Sequence, residues 1–377
     1  MMIDSFTIAG AVGLLTTAVG NALLNPFKRR PHGSLPSSAN CQPLSLVIIT
    51  HNNAEDLAQT LPLWLEQVYP EALQIIVVTE RGDSATENIL KGYAGNQRLY
   101  TTFVPQSSRY MSREKLAVTL GVKAAKHNHI MLTQADCAPD SPHCLATCDA
   151  YLSCDDTRMA VGYVHYPHND SYAYRHFLVL RQAYYRMRAA STKRPYGAPA
   201  PFLLFLKQDF IDGGGYTGNL QYVYGAYDFI VDKYGANAIP MYEPATQLTR
   251  RQPILKEWHK EQLANFDTSQ HLKGTVWYRL LTHIDQWALY LHLLGVLGVA
   301  IAAIATSRWL LLAIALSTFI ITTVVRFLLI RSAVSTFHES FSPWHAILYE
   351  YRAFWTRLAT RICHLRTDAT DFTTHKQ

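Results

Sequence analysis

The sequence lacks the features that would mark a disulfide-rich or nucleic-acid-binding protein. Only six of the 377 residues are cysteine, and no two of them form a CxxC pair. The chain is long enough for one large domain or two smaller ones. In a chain of this size, few cysteines and no CxxC pair indicate reduced thiols. Charged residues make up only 16% of the chain, and its net charge of +6 is not gathered into a basic stripe. We therefore expect no nucleic-acid partner.

A zinc site is the metal centre that the cysteines themselves suggest. Asp136, Cys137, His143, Cys144 and Cys148 lie close together along the chain. Structural zinc sites place their ligands in regular short pairs, and this spacing fits no standard site. The cysteines are better explained as ordinary thiols in a protein on the cytosolic side of a membrane.

The chain begins with an apolar run. Residues 5–27 carry no charge, and the basic triplet KRR follows at 28–30. A run of this length crosses a bilayer, and the basic residues favour the cytoplasmic side. A cleaved signal peptide is the alternative, but its charges would precede the run and no A-x-A site is evident. We predict a membrane anchor over 1–27 and a polar linker over 28–44.

A second apolar block begins at Gln286 and is interrupted by Arg308. It predicts a transmembrane hairpin over 286–330, because one continuous helix would be far longer than a bilayer needs. Both ends of the hairpin then return to the side that holds the central domain. Arg326 lies near the end of the second helix, where we expect its side chain to reach the membrane surface.

The last segment, 331–377, predicts an amphipathic helix followed by a polar tail. Apolar residues between Trp344 and Leu365 recur at helical spacing, with most charges off that face. This pattern is typical of a helix lying in the membrane interface. Packing of the helix against the soluble domain is the alternative.

Strand and helix patterns alternate within residues 45–285. Their order predicts an α/β protein with a doubly wound, largely parallel sheet. Ligands of such sheets bind beyond the carboxyl ends of the strands. The apolar strand patterns are LSLVIIT, LQIIVVT, RLYTTFV and HIMLTQ, and the helical patterns between them are AEDLAQTLPLWLEQV, SATENILKGYA and SREKLAVTLGVKAAKH.

This order of motifs resembles a membrane-bound bacterial glycosyltransferase of family 2, with the GT-A fold. The similarity rests on the first strand and helix, on the acidic turn in VVTERGDS, and most closely on the stretch from SREKL to LTQADCAPDS. The resemblance implies a doubly wound mixed sheet of the nucleotide-diphospho-sugar transferase type, plus transmembrane helices. It also implies inverting transfer from a nucleotide-sugar donor, UDP-sugar above all, to a lipid-linked or envelope glycan acceptor.

The resemblance assigns a metal and several donor contacts. It places Mg²⁺ or Mn²⁺ on Asp136, where the ion would neutralise the diphosphate leaving group. A helix N-cap is the alternative for Asp136, and a solvated side chain is the alternative for Lys115. Trp258 lies either at the membrane boundary or beneath the acceptor. The implied substrate-binding residues are Thr50, Glu80, Asp83, Lys115 and Trp258.

Four motifs depart from the family pattern. Gln134 replaces the first acid of the metal motif, and GAYDFIV stands where the family has GDDDLFV. Asp228 is then the remaining candidate for the base that deprotonates the acceptor, one place late. On a strand this shift would reverse its side, whereas on a helix Asp228 can still point inward. The loop RPYGAPAP and the segment KEWHKEQLANF, which keeps Glu257 and Trp258, lack the family's basic residues.

Two functional hypotheses follow. The first is a working glycosyltransferase on the cytoplasmic face of the inner membrane, built around Asp136 and Asp228. The second is a catalytically inactive relative that binds a partner glycosyltransferase, a nucleotide or a glycan lipid. A third and weaker idea is an anchor protein in a polysaccharide assembly complex.

Overall fold

The computed structural model describes residues 4–28, 41–105, 111–153, 156–192, 195–367 and 372. Most of the predicted linker and of the polar tail lies outside these residues, as do Arg29 and Arg30. The described residues group into two compact units. The first takes its residues from 1–30, 168–181 and 276–358, and the second from 31–167, 182–275 and 359–377.

The second unit is built on a seven-stranded mixed sheet with the strand order β3-β2-β1-β4-β8-β6-β9. The strands β3, β2, β1 and β4 run parallel, whereas β8 is antiparallel to both β4 and β6. The predicted doubly wound mixed sheet is thus confirmed. The strands are β1 (Leu44–Ile49), β2 (Leu73–Glu80), β3 (Leu99–Val104), β4 (His129–Gln134), β6 (Met159–Val161), β8 (Phe202–Leu206) and β9 (Ala238–Pro240).

A small second sheet lies in the same unit, with the order β5-β10-β7. Its strands are β5 (Cys137–Pro139), β7 (Val164–His165) and β10 (Leu248–Arg250). The pairing of β10 with β5 is antiparallel and sets Arg250 opposite Cys137. This register brings a distant part of the chain to the turn that follows β4.

The helices of the second unit cover the large sheet. They include α2 (Ala54–Leu65), α3 (Ser84–Lys91), α4 (Arg113–Ala124), α5 (Cys144–Leu152), α7 (Lys207–Asp212), α8 (Ala226–Tyr234) and α9 (Leu255–His271). The four strands and three helices expected before residue 135 are all present. The helix α6 (Ala173–Ser191) begins in the first unit and ends in the second.

The central strands are apolar on both faces because helices pack on both sides of the sheet. On one face Val47 and Val78 pack with Val118 and Val122 of α4. On the other face the alternate residues of the same strands pack with α2. At Gly121 the α4 backbone approaches β1 so closely that an added Cβ would collide with the side chain of Val47.

The first unit contains three helices that are long and apolar enough to cross a membrane. These spans are Ser5–Leu24, Val276–Ala305 and Trp309–Thr336. The corresponding helices are α1 (Ser5–Leu24), α10 (Thr275–Ala305) and α11 (Trp309–Thr336). The helix α10 begins before the predicted hairpin start at Gln286, because polar residues in its first turns interrupt the apolar pattern.

Arg326 does not extend to a surface, contrary to the sequence-based expectation. Its side chain is 2% exposed, and its guanidinium contacts Glu350 at 2.6 Å and Asp285 at 3.0 Å. Its Nε also donates to Asn21 of α1. Asp285 is paired in turn with Arg181 at 2.6 Å. These charges lie far apart in the sequence, so no local pattern predicts that they neutralise one another.

The final described helix is α12 (Pro343–Arg366). It buries Ala346, Glu350 and Ala353, which lie on one side of the helix. Its large apolar side chains are exposed instead: Trp344 by 61% and Leu348 by 66%. An exposed apolar face of this kind favours contact with a membrane or a partner.

Candidate functional site

Polar side chains gather where the parallel strands β1, β2 and β4 end. The register pairs Ile49 with both Val78 and Gln134, so the carboxyl ends of these strands share one edge. Thr50 follows β1 directly, and its hydroxyl donates to the Val78 carbonyl oxygen at 3.3 Å. Thr50 therefore stabilises the edge through the backbone, and its predicted donor contact stays a prediction.

Glu80 ends β2 and is the centre of a small charge cluster. Its Oε1 accepts a hydrogen bond from Arg113 Nε at 2.6 Å and lies 2.9 Å from His51 Nδ1. Burial opposes the carboxylate charge, but the bonds from Arg113 and His51 outweigh it and lower the pKa of Glu80. Glu80 is thus held ionised at the edge where the resemblance places the nucleoside.

Asp83 has a local structural role in this turn. It is the N-cap of α3, and its carboxylate accepts from the Thr86 amide at 3.1 Å and the Thr86 hydroxyl at 2.5 Å. Both bonds stabilise the first turn of the helix. The structure therefore explains an acid here without a ligand, and nucleoside binding by Asp83 stays a prediction.

The Lys115 side chain is completely buried. Its Nζ donates to the carbonyl oxygens of Asn219 and Tyr222, each at 2.7 Å, and lies 4.5 Å from the centre of the Phe229 ring. Burial lowers the pKa of Lys115 to about 7. Lys115 ties α4 to the segment before α8, so it is not the solvated side chain that the alternative described.

Glu114 is a site residue that the sequence did not single out. Its Oε1 accepts from Gln134 Nε2 at 3.1 Å, at the end of β4. Burial raises the pKa of the Glu114 carboxyl, and the bond from Gln134 opposes this only in part. A glutamate in the first turn of a helix is common for helix-dipole reasons, so its position in the sequence gave no signal. Only the packing of α4 on the sheet places it beside Gln134.

Asp136, the predicted metal ligand, contacts an arginine. Its Oδ2 lies 2.6 Å from Arg250 Nε, and Arg250 Nη2 lies 2.8 Å from Glu261 Oε1. Burial disfavours the charge of Arg250, but Asp136, Tyr166 and Glu261 outweigh that effect and raise its pKa. The sequence did not reveal this pair, because it depends on the pairing of β10 with β5.

Asp228 lies in the first turn of α8 and is buried. Gly225 precedes the helix with φ +83°, a left-handed conformation that favours glycine. The Asp228 Oδ1 accepts from the Ala198 amide at 3.2 Å and lies 3.0 Å from Arg186 Nη1. A Cβ on Gly197 would lie 2.7 Å from the same oxygen. The helix thus turns Asp228 inward, as the helical alternative expected.

Trp258 lies on α9 and is buried in the second unit. The hydroxyl of Tyr227 on α8 is also buried, and among the described residues it has no hydrogen-bond partner. The structure brings Glu80 to the end of β2 and Gln134 and Asp136 to the end of β4, the two strands that flank β1. It places Lys115 against backbone carbonyls instead of at the open edge.

The residues around Asp136 do not form a divalent-metal site. Magnesium and manganese require several oxygen ligands in near-octahedral geometry. Here one carboxylate oxygen is paired with a guanidinium, and the amide at 134 donates to a carboxylate. In the part of the chain that the structure describes, no group of three His, Cys, Asp or Glu side chains is placed to hold a metal ion.

A comparison with models of protein families agrees with the fold of the large sheet. Residues 42–200 match the family model described as "Glycosyltransferase like family 2". This range contains β1 to β4 and the polar edge. Over these residues the chain is similar to family 2 glycosyltransferases, and its mixed sheet is of the GT-A type. No curated protein sequence matches the chain.

Solved structures provide a second comparison. The mannosyltransferase PcManGT of Pyrobaculum calidifontis, in complex with GDP-Man and Mn²⁺, matches with a TM-score of 0.52 and 16% identity, over 83% of this chain and 98% of that one. At this identity the likeness establishes the fold alone. GalNAc-T7 with UDP, GalNAc and Mn²⁺ has a TM-score of 0.43 and 14% identity, over 63% of this chain and 50% of that one. S. aureus TarS with UDP-GlcNAc has a TM-score of 0.42 and 10% identity, over 83% of this chain and 92% of that one.

Proposed function

We propose that this protein is a membrane-anchored glycosyltransferase that takes a sugar from a nucleoside-diphosphate donor. The observation that carries the proposal is the match of residues 42–200 to a glycosyltransferase-like family, in the segment that builds the polar edge of the sheet. The acceptor is a lipid-linked or envelope glycan, and transfer proceeds with inversion at the anomeric carbon. A UDP-sugar is the first donor to test, and a GDP-sugar the second, because GDP-Man is bound by PcManGT.

The proposed roles follow the positions of the side chains. Glu80 and Asp83, at the end of β2, face the nucleoside, and the backbone at Thr50 lines the same edge. Asp228 accepts the proton of the attacking hydroxyl, for which it must exchange its contact with Arg186 for one with the acceptor. Lys115 supports the segment that precedes α8, through its two carbonyl contacts.

The proposed organisation keeps an anchor at 1–27, a transferase domain at 45–285, a membrane hairpin at 286–330 and an interfacial segment at 331–377. Three helices suited to span a membrane support it. The exposed apolar side chains of α12 support contact of that helix with lipid. We place the transferase domain on the cytoplasmic side, where nucleotide sugars would be available to it.

A second candidate function is a catalytically inactive relative that binds a nucleotide, a glycan lipid or a partner glycosyltransferase. One observation favours it: both predicted carboxylates, Asp136 and Asp228, are paired with arginines at 2.6 and 3.0 Å. A carboxylate in such a pair must give up its arginine contact before it can hold a metal ion or accept the proton of an acceptor hydroxyl.

Calorimetric titration of UDP, GDP and CMP into the full-length protein in detergent tests the donor site. Release of nucleotide from the matching sugar donor, with membrane lipids as acceptor, then tests transfer. Binding with turnover supports the first function, and binding without turnover supports the second. Asp212, an exposed carboxylate on α7, provides the control. Loss of turnover in Asp228→Asn but not in Asp212→Asn would assign Asp228 as the base. Failure of all three nucleotides to bind would refute the first function and the nucleotide-binding form of the second.

A further inference from the structure

Backbone contacts with the β10 segment shape the environment of Asp136. Its backbone carbonyl accepts from the Arg251 amide at 3.1 Å, and the β5–β10 pairing sets Arg250 opposite Cys137. Two backbone constraints therefore fix Arg250 beside Asp136. The neighbouring Arg251 points elsewhere and pairs with Asp56 at 3.0 Å. Arg251 directly follows β10, and the two side chains pair with different carboxylates, as expected where side chains alternate along an extended segment.

The guanidinium of Arg250 is held by a nearly buried carboxylate on one side and by a partly exposed carboxylate on the other. Asp136 is nearly buried and accepts from Nε, so it fixes the plane of the group. Tyr166 forms a further hydrogen bond with the same side chain. The side chain of Glu261, which accepts from Nη2 at 2.8 Å, is 33% exposed. A partly exposed carboxylate can rotate into solvent and leave the Nη2 donor to another anion.

A guanidinium in this position has the chemistry that a diphosphate requires. It carries a permanent positive charge and several N–H donors in one plane, which match the oxygens of phosphate groups. A divalent ion bound to Asp136 would have to displace this charge or lie next to it, and like charges repel strongly in a partly buried site. The donor set is therefore suited to an anion and not to a second cation.

We propose that Arg250 is the built-in cation of this site: it occupies the place of a divalent metal at Asp136 and contacts the diphosphate of the nucleotide directly. The proposal rests on the proposed function for its ligand. It predicts that nucleotide binding needs no divalent metal. Glu261 then acts as a competitor that leaves Arg250 when the nucleotide arrives.

The first test uses Mn²⁺ alone, followed by electron paramagnetic resonance of the full-length protein. We expect the wild-type protein to leave the Mn²⁺ spectrum unchanged. Mn²⁺ binding by the wild type that disappears in Asp136→Asn would overturn the proposal. This measurement needs no nucleotide, so it gives a result even if the donor-binding proposal fails.

The second test titrates UDP and GDP with Mn²⁺ or with EDTA. We expect equal affinity in both, a loss of roughly tenfold or more in Arg250→Ala, and a smaller loss in Arg250→Lys. Arg251→Ala is the matched control, and its affinity should stay within about twofold of wild type. Glu261→Gln should bind nucleotide more tightly, because it removes the competing charge. Nucleotide binding that is abolished by EDTA would overturn the assignment. If Arg250→Ala does not fold, the comparison of nucleotide affinity between Arg250→Lys and wild type tests the assignment instead.

Discussion

Replacing Arg326 tests the ionic cluster of the first unit most directly. Arg326 and Arg181 carry two positive charges, and Asp285 and Glu350 carry two negative charges, so the cluster is neutral. All four side chains are at most 3% exposed. Arg326→Met leaves one buried negative charge without a counter-charge. Breaking a buried pair from one side typically costs about 3–5 kcal/mol.

The same reasoning predicts that a second substitution restores part of the lost stability. Arg326→Met combined with Glu350→Gln is again neutral, since the pair of Arg181 and Asp285 remains. The glutamine can still accept from Asn25, whose Nδ2 lies 3.5 Å from Glu350 Oε1. The double variant should therefore be more stable than the single Arg326→Met variant, although a simple sum of two losses would make it less stable.

Thermal unfolding of the full-length protein in detergent, followed by tryptophan fluorescence, measures both effects. We expect Arg326→Met to lower the midpoint by about 5–10 °C, and the double variant to recover at least about half of that loss. Arg331→Met is the matched control, because Arg331 lies on the same helix and is exposed. A midpoint for Arg326→Met equal to that of the control would refute the reasoning. A double variant less stable than the single one would refute it too.

Three further predictions concern the second unit. The pKa of Glu114 is raised in the folded state, so the folded protein loses stability as the pH rises past the ordinary glutamate pKa of about 4.3. The unfolding midpoint of wild type should therefore fall between pH 4.5 and 8, and that of Glu114→Gln should fall less. The pKa of Lys115 is lowered to about 7, so the folded state binds fewer protons than the unfolded state above that pH. Wild type should gain stability from about pH 7 to 10, and Lys115→Met should lose this gain in the same melting assay. Asp228→Asn should reduce donor turnover by roughly 10²–10⁴-fold while UDP or GDP affinity changes little, and equal losses in both would argue against a role as base.

The fold of the first half of the sheet was predictable from local patterns. The strands β1 and β2 are mostly apolar, and α2 repeats its apolar residues at helical spacing, so each element can be recognised from a few neighbouring residues. The three helices that are long and apolar enough to cross a membrane were predictable for the same reason, since length and apolar composition are properties of a single segment. Their ends were less predictable, because buried charges such as Asp285 interrupt the apolar pattern.

The candidate site was predictable only where it is local. The turn after β4 was identified from the sequence, but the partner of Asp136 was not, because Arg250 lies 114 residues further along the chain. Adjacent arginines at 250, where β10 ends, and 251 do carry a weak signal, since consecutive residues of an extended segment face opposite sides. Nothing in the sequence says which of the two turns towards Asp136.

The sequence by itself determined which segments form strands, which form helices and which can cross a membrane, because backbone preference and apolar periodicity act over short distances. The tertiary structure decided the pairing of charges: Asp136 with Arg250, Glu114 with Gln134, and Arg326 with Asp285 and Glu350. A buried charge is stable only beside a partner, and strand register and helix packing, which are long-range, select that partner. The same long-range packing decides whether the site at Asp136 receives a metal ion or an arginine.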